Sequence, residues 1–322
     1  VGDLVVQTVD DDFDCDLAFS ALDSSIAREV EPRLAAAGVP VVSNASAFRM
    51  DASTPLIVPE VNSDHLELSR HSGGVAPIVT NPNCATVGLV MVLKPLHDAF
   101  GIEAVHVTTL QAVSGAGYPG LSALDILGDA VPLIPGEEEK LCTEPQKIHG
   151  RRHGGRIEPA SMTISAQTTR VPVLDGHLLC VSLRLRRAAS PKEVSEELAA
   201  FRGGISGLGL PSAPDEPISV LTGDEPPTPR RHAGVGGGMT VTVGRIRRCP
   251  VHDIRLVALV NNTVRGAAGA AILNAELMKK KGLLESYSRE RRRLRGEGQK
   301  PGQDIWPTED PLKRPPEVAR AP

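Results

Sequence analysis

"AVSGAGYPGLSALDILG", residues 112–128, decides how the chain divides, because Gly115, Gly117 and Gly120 form a G-x-G-x-x-G pattern. An apolar run from Ala104 to Val113 precedes the glycines and a helix-like "LSALDILGDA" follows them. A dinucleotide-binding loop must also return to a parallel strand within about 30 residues and present an acid near that strand's end. The return here is "VPLIPGEEEK", in which Pro132 and Pro135 would each delete a ladder hydrogen bond from a central strand. A flexible turn between strand and helix is therefore the better reading. The second glycine cluster, "GVGGGMT" at 234–240, precedes a strand and so lacks the helix start that binds pyrophosphate; it reads as a hinge or turn.

Before the stretch, residues 1–83 alternate short apolar and amphipathic runs. "LVVQTV" (4–9), "DLAFSA" (16–21) and "VPVVSN" (39–44) read as strands, and "SSIAREVEPRLAAAG" (24–38) reads as a helix closed by Gly38. Strand, helix, strand implies a parallel sheet with helical crossovers. The chain opens on Val1 inside an apparent strand, which reads as an incomplete start. Beyond residue 101, long strand-like stretches dominate: "IEAVHVTTLQAV", "SMTISAQTTRVPV", "HLLCVSLRLRR", "MTVTVGRIRR" and "DIRLVALV". Alternation through Leu183, Arg184, Leu185 and Arg186 predicts a sheet with one wet face in a second, α+β domain. Within it "SPKEVSEELAAF" signals a helix, with Ser190 as N-cap, Pro191 in the first turn and Glu193 closing a capping box. A last helix, "RGAAGAAILNAELMKKKG", carries small residues for close packing. The charge- and proline-rich residues from Glu285 onward are expected to be a disordered tail.

The bulk properties narrow the partners. The 322 residues are 41% hydrophobic, enough for about two cores, and 35 Lys and Arg against 39 acids give a net charge of −4. That balance offers no pull towards nucleic acid or an anionic membrane. Apolar runs such as "ATVGLVMVL" fall short of the roughly 20 residues of a membrane helix, so a soluble protein is expected. Five scattered cysteines without a C-x-x-C pair suggest neither a disulfide framework nor a structural zinc, and a reducing cytoplasm fits.

The chemistry concentrates in "IVTNPNCATVGLVMVLKPLHDAF" (78–100), where a strand ends, "NPN" turns, and Cys84 begins an apolar helix. Free N–H groups at a helix start favour thiolate over thiol and can hold an oxyanion on an adjacent carbonyl, so Cys84 is a candidate nucleophile. The alternative, a small buried hydrophobe, describes most free cysteines. Among nine histidines, His177 stands out because it joins a "DG" turn to a strand, an exposed element end suited to proton transfer. The acidic run at 137–139 with Lys140 reads, by itself, as a solvated helix face.

Taken in order, "SNASAFRMD", "PEVNSDHL", "TNPNCAT", "LQAVSGAGYPG", "GEEEKLCTEPQK", "RVPVLDGH", "MTVTVGRIRR" and "NNTVRGAAGAAILNAEL" resemble the aspartate-semialdehyde dehydrogenases of the archaeal and fungal type, from about Leu4 to Gly282. The resemblance implies a partial Rossmann-like, parallel-sheet NADP-binding domain joined to an α+β catalytic and dimerisation domain like that of glyceraldehyde-3-phosphate dehydrogenases. The implied boundaries are 1–83, 84–260, a helix at 261–284 returning to the nucleotide domain, and the tail at 285–322. It implies Cys84 as nucleophile, His177 as acid/base and Gln111 as an orienting group. Arg170 would clamp the substrate carboxylate, Glu137 would pair with its amino group, Arg49 and Lys140 would hold phosphate, and Asn83 would contact substrate. Ser20, Ala21, Leu22, Ser43, Ser114, Gly115, Ala116, Gly117 and Asn262 would contact NADP, with no metal.

The implied reaction is NADPH-dependent reduction of aspartyl phosphate to aspartate semialdehyde and phosphate, on the route to lysine (through diaminopimelate), threonine, methionine and isoleucine. A homodimer or homotetramer is implied. Two departures stand out: no "GATGxVG"-like loop occurs, and Asp23 replaces a usual proline after "FSAL". Two further readings stay open. One is a malonyl-CoA reductase-like acyl reductase, and the other is an inactive, N-terminally truncated remnant serving as a dimerisation module.

Overall fold

The computed structural model describes residues 6, 8, 15–71, 75–285 and 287; apart from Val6 and Thr8, which are not in a strand, the expected strand at 4–9 lies outside the described residues, as does the tail beyond 287. The chain enters with β1 (Ala18–Ser20), α1 (Ser24–Ala36) and β2 (Val41–Ser43). After α2 (Pro59–Asn62) and a 3-10 run over Ser63–His71 it adds β3 (Ile78–Thr80). These strands form a parallel sheet in the order β1-β2-β3, as the strand-helix-strand pattern predicts. Val41 and Val42 are both buried, so β2 is covered on both faces, the condition a parallel sheet requires.

From β3 the chain turns through residues 81–83 into α3 (Cys84–Phe100) and then β4 (Ile102–Gln111), whose end leads into a 3-10 turn, Val113–Ala116. Instead of the expected helix over "LSALDILGDA" there is one turn, α4 (Ala123–Ile126). It ends where Leu127 turns extended (φ −70, ψ 119) and Gly128 follows with φ 79, a conformation that other residues avoid. Nor does "VPLIPG" form a strand: only Val131 pairs, as an isolated bridge to Arg170. The polypeptide then runs through α5 (Glu137–Ile148), the hairpin β5 (Arg151–His153) and β6 (Arg156–Glu158), β7 (Thr163–Arg170), β8 (His177–Leu185) and α6 (Pro191–Ala200). It finishes with β9 (Ile218–Val220), α7 (Pro229–His232), β10 (Val241–Arg248), β11 (Ile254–Val260) and α8 (Gly269–Lys280).

Six strands make the second sheet, in the order β7-β4-β8-β11-β10-β9. β4, β8, β11 and β10 pair antiparallel, while β7 and β9 are added in parallel at the two edges. The alternation read in β8 is the observed one: Leu179, Val181 and Leu183 face the core while Cys180 and Arg184 face out. On the inner face lie α3, with twelve buried residues, and α6, which begins with the expected capping box between Ser190 and Glu193. Each buried leucine of this core contributes about 2 kcal/mol by removal from water. A smaller core joins Val42, Ile57 and Val79 to Leu273, Leu277 and Met278 of α8, and residues Ile205, Leu210 and Met239 enter it as well. Helix α8 thus returns across the molecule to the parallel sheet. Among the described residues no helix is long and apolar enough to cross a membrane.

Candidate active site

Cys84 is the first residue of α3, and its neighbour Asn83 caps that helix: Asn83 Oδ1 accepts from the N–H groups of Ala85 (3.0 Å) and Thr86 (3.3 Å). Two of the N–H groups expected to be free at this helix start, those of Ala85 and Thr86, are therefore engaged by the cap. The Sγ of half-buried Cys84 lies 3.3 Å from His177 Nε2. His177 heads β8 but is fully buried, so it is not the exposed element end that the "DG" turn suggested. Its Nδ1 accepts the Ala112 N–H at 3.0 Å. A neutral ring held this way carries its proton on Nε2, aimed at the sulfur.

The resting pair is neutral rather than ionic. Burial, followed by the Glu137 carboxylate, pushes the Cys84 thiol up to about 12, against the pull of Arg49, the Ala85 N–H and Arg170. For His177, burial and then the Arg170 guanidinium push the value down to about 3. The expectation that the helix start favours thiolate is thus corrected: desolvation and a facing carboxylate outweigh the helix terminus.

Helix α5 builds the next wall. Glu137, Lys140, Glu144 and Lys147 recur at spacings of three and four, which places them on one face. Glu137 Oε2 accepts from Asn83 Nδ2 (2.7 Å) and Oε1 pairs with Lys140 Nζ (2.9 Å). Glu144 accepts the Asn83 backbone N–H (2.7 Å) and pairs with Arg49 Nη1 (3.0 Å). Lys147 donates to the carbonyls of Arg49 (2.5 Å), Asp51 (2.7 Å) and Thr54 (2.7 Å), and burial lowers its pKa to about 8. The "EEEK" run is therefore only partly a solvated face: Glu139 is exposed, whereas Glu137 is buried within this network. Arg49 also donates to Asn44 O at 2.7 Å, and its buried Nε finds no partner.

The third wall comes from strand ends. Gln111 closes β4 beside Arg170 at the end of β7, and both are buried. Gln111 Nε2 donates to Thr109 Oγ1 (3.2 Å), and Arg170 Nη1 donates to Ala112 O (2.7 Å). A Cβ on Gly115 would stand 2.8 Å from Arg170 Nη1 and 3.0 Å from His177 Cε1, so the turn over Ser114, Gly115, Ala116 and Gly117 packs this closely only with glycine there. Asn262 fastens the turn, donating to Ser114 Oγ (2.9 Å) and accepting the Gly176 N–H (2.8 Å).

Contacts thus bring together Cys84, His177, Arg170, Asn83, Glu137, Lys140, Arg49, Asn262 and the 114–117 turn. Ser20, Ala21, Leu22 and Ser43 stand apart, at the carboxyl ends of β1 and β2. They are linked to the rest through Asn44, whose N–H donates to Ser20 O and whose side chain accepts from Asn81, and through the Asn81 N–H, which donates to Ser43 O. Ser43 Oγ donates to the buried Glu31 (2.6 Å), whereas the buried Ser20 Oγ is unpartnered. Sequence reasoning missed Glu144, Lys147 and Gly266. The first two were legible as the charged 3-4-3 periodicity of α5. Gly266 was not, because its role depends on a close approach: a Cβ there would lie 2.6 Å from Cys84 Cβ.

Comparison with known proteins gives a consistent result. The family model for "Semialdehyde dehydrogenase, dimerisation domain" matches residues 93–265, and that for "Semialdehyde dehydrogenase, NAD binding domain" matches residues 1–69. The chain is 48% identical to an aspartate-semialdehyde dehydrogenase of Archaeoglobus fulgidus, over 84% of this chain and 79% of the relative. It is 44% identical to the Schizosaccharomyces pombe enzyme over 84% and 79% of the two chains. Its fold is similar to the crystal structure of the Candida albicans aspartate semialdehyde dehydrogenase with NADP, with a TM-score of 0.81 and 42% identity over 87% and 83% of the chains.

Proposed function

The chain belongs to the aspartate-semialdehyde dehydrogenase family, and we infer from that and from the site that it reduces L-4-aspartyl phosphate to L-aspartate 4-semialdehyde with NADPH, releasing phosphate. One observation carries the reading. Around the Cys84–His177 contact stand a buried guanidinium (Arg170), a carboxylate (Glu137) and a cation pair (Arg49 and Lys140), matching the carboxylate, ammonium and phosphate of that substrate.

In this mechanism Arg170 binds the substrate carboxylate, Glu137 binds its ammonium, and Gln111 and Asn83 orient the acyl group. Arg49 and Lys140 hold the phosphoryl oxygens, and the unpartnered Arg49 Nε–H suits an anion. Substrate ammonium at Glu137 offsets the carboxylate that keeps Cys84 protonated, so the thiol gives its proton to a phosphate oxygen of the bound substrate, which carries it away on departure, and thiolate forms in the complex. The thiolate attacks the acyl carbon, the carbon–oxygen bond to phosphate breaks, and an aspartyl thioester remains on Cys84. NADPH, when bound, supplies the hydride that reduces it. The His177 Nε2–H, already aimed at Sγ, stabilises sulfur on attack and again when it is expelled.

The residues present fit the cofactor's nicotinamide end. The unpartnered Ser20 Oγ lies at the carboxyl end of β1, the edge at which open α/β sheets bind ligands, and nothing stands within 4 Å of where a Gly117 side chain would project. Ser20, Ala21, Leu22, Ser43, Ser114–Gly117 and Asn262 would hold it.

The exposed apolar Tyr118, Leu124, Leu127, Leu133 and Leu174, within the segment matching the dimerisation domain, support a homodimer. Five free cysteines support a cytoplasmic setting. The return of α8 to the smaller core supports a division at about residues 83 and 260.

The test is phosphate-dependent reduction of NADP by aspartate semialdehyde. Turnover should saturate in both aldehyde and phosphate and vanish in Cys84→Ala; turnover indifferent to phosphate would overturn the reading.

A further inference from the structure

We propose that Arg265 is a positioning residue for the Cys84–His177 pair, acting through Gly266 and Asn262 on its own segment. Its turnover test rests on the reading above. Arg265 sits in a π-helical turn, Val264–Ala268, between β11 and α8. Its guanidinium meets Glu60 of α2 through two bonds, Nη1 to Oε1 (2.8 Å) and Nη2 to Oε2 (2.6 Å), and both side chains are fully buried. Nη2 also reaches Met91 Sδ of α3 at 3.4 Å. Burying two charges costs several kcal/mol each, and an apolar pair of similar volume often serves stability as well. A forked ion pair adds direction, since both bonds must be made at once.

What is directed lies on either side of Arg265. Gly266 presses on the nucleophile: a Cβ there would be 2.6 Å from Cys84 Cβ and 2.9 Å from its Cα. Asn262 holds the N–H of Gly176, the residue before His177, together with the Ser114 hydroxyl. The anchor is itself wedged in place. The Glu60 carbonyl accepts the Gly204 N–H at 2.9 Å, and a Cβ on Gly203 would stand 2.5 Å from Glu60 Cβ. A π-turn is a frequent functional device, and this one abuts Cys84 through Gly266 while Asn262, two residues before it, holds the Gly176 N–H next to His177. Arg265 is thus the pin between a fixed carboxylate and a segment whose displacement would move sulfur and imidazole relative to each other.

The experiment compares the wild type with Arg265→Lys and with the double variant Arg265→Met, Glu60→Met, which removes the charges but keeps the volume. Three quantities are measured: thermal midpoint, kcat and KM for aspartate semialdehyde, and the rate at which iodoacetamide alkylates Cys84 as a function of pH. The double variant should melt near the wild type with KM little changed. Its kcat should drop about tenfold, while alkylation at pH 8 should accelerate about tenfold, the change expected from a thiol pKa lowered by about one unit as Gly266 loosens over Cys84. Arg265→Lys, which keeps the charge and loses the fork, should fall between. A folded double variant with wild-type kcat and alkylation profile would show that the pair is only structural. Should the double variant not fold, the same wild-type values in Arg265→Lys would overturn the proposal. A wild type inactive on aspartate semialdehyde would count against the assigned reaction, while the alkylation profile would still decide the role of Arg265.

Discussion

At Cys84 two effects compete, and their order sets the chemistry. Burial and the Glu137 carboxylate hold the proton on sulfur, while two guanidinium groups and one backbone N–H oppose them. With the thiol pushed up to about 12 and His177 down to about 3, alkylation of the free protein should climb steadily through pH 10. No inflection belongs between pH 5 and 8; a plateau starting near pH 7 would mean that a thiolate–imidazolium pair exists at rest. Removing the Glu137 charge takes away the second-largest cause of the elevation. Glu137→Gln should therefore speed alkylation at pH 8 by about tenfold, one unit of pKa, even as it weakens substrate binding. An unchanged or slower reaction would show that burial alone holds the proton. The cysteine at a helix start was legible in the sequence, but its protonation was not, because Glu137 lies 53 positions away and meets it only in the fold.

At the scale of elements, α5 ties the site to the loop over residues 49–54. Lys147 is buried and satisfies three carbonyls of that loop, the segment that carries Arg49. Lys147→Met should cost about 3 kcal/mol, measured by urea denaturation, through carbonyls left without donors. The same variant should raise the KM for phosphate more than that for aldehyde, because Arg49 depends on the loop. Equal effects on both substrates would place the damage elsewhere. Periodicity made most elements readable: the alternation of β8, the capping box of α6 and the apolar face of α3 all stand as the sequence suggests. Two features escaped it. "LSALDILGDA" has helix-forming residues but is cut short at Leu127 and Gly128, and the π-turn before α8 has no local signature, since it is held by Glu60 from 205 positions away.

Across the whole molecule, the parallel three-stranded sheet leads from β3 through residues 81–83 into α3, which begins at Cys84 and packs against the mixed six-stranded sheet. Tyr118, Leu121, Leu124, Leu127 and Leu133 of the 117–136 excursion are exposed, and the homodimer proposed above would place its subunit contact there. Leu124→Asp with Leu127→Asp should shift the protein towards monomer in sedimentation velocity. A double variant that sediments as the wild type does would move the contact to another face. Above all, the proposed reaction passes through a covalent bond between substrate and Cys84. The most direct measurement supplies aspartyl phosphate without nicotinamide cofactor and determines the mass of the peptide bearing Cys84. An aspartyl adduct on that cysteine, absent in Cys84→Ala, is the predicted result; an active protein with no adduct, or with the adduct on another cysteine, would contradict it.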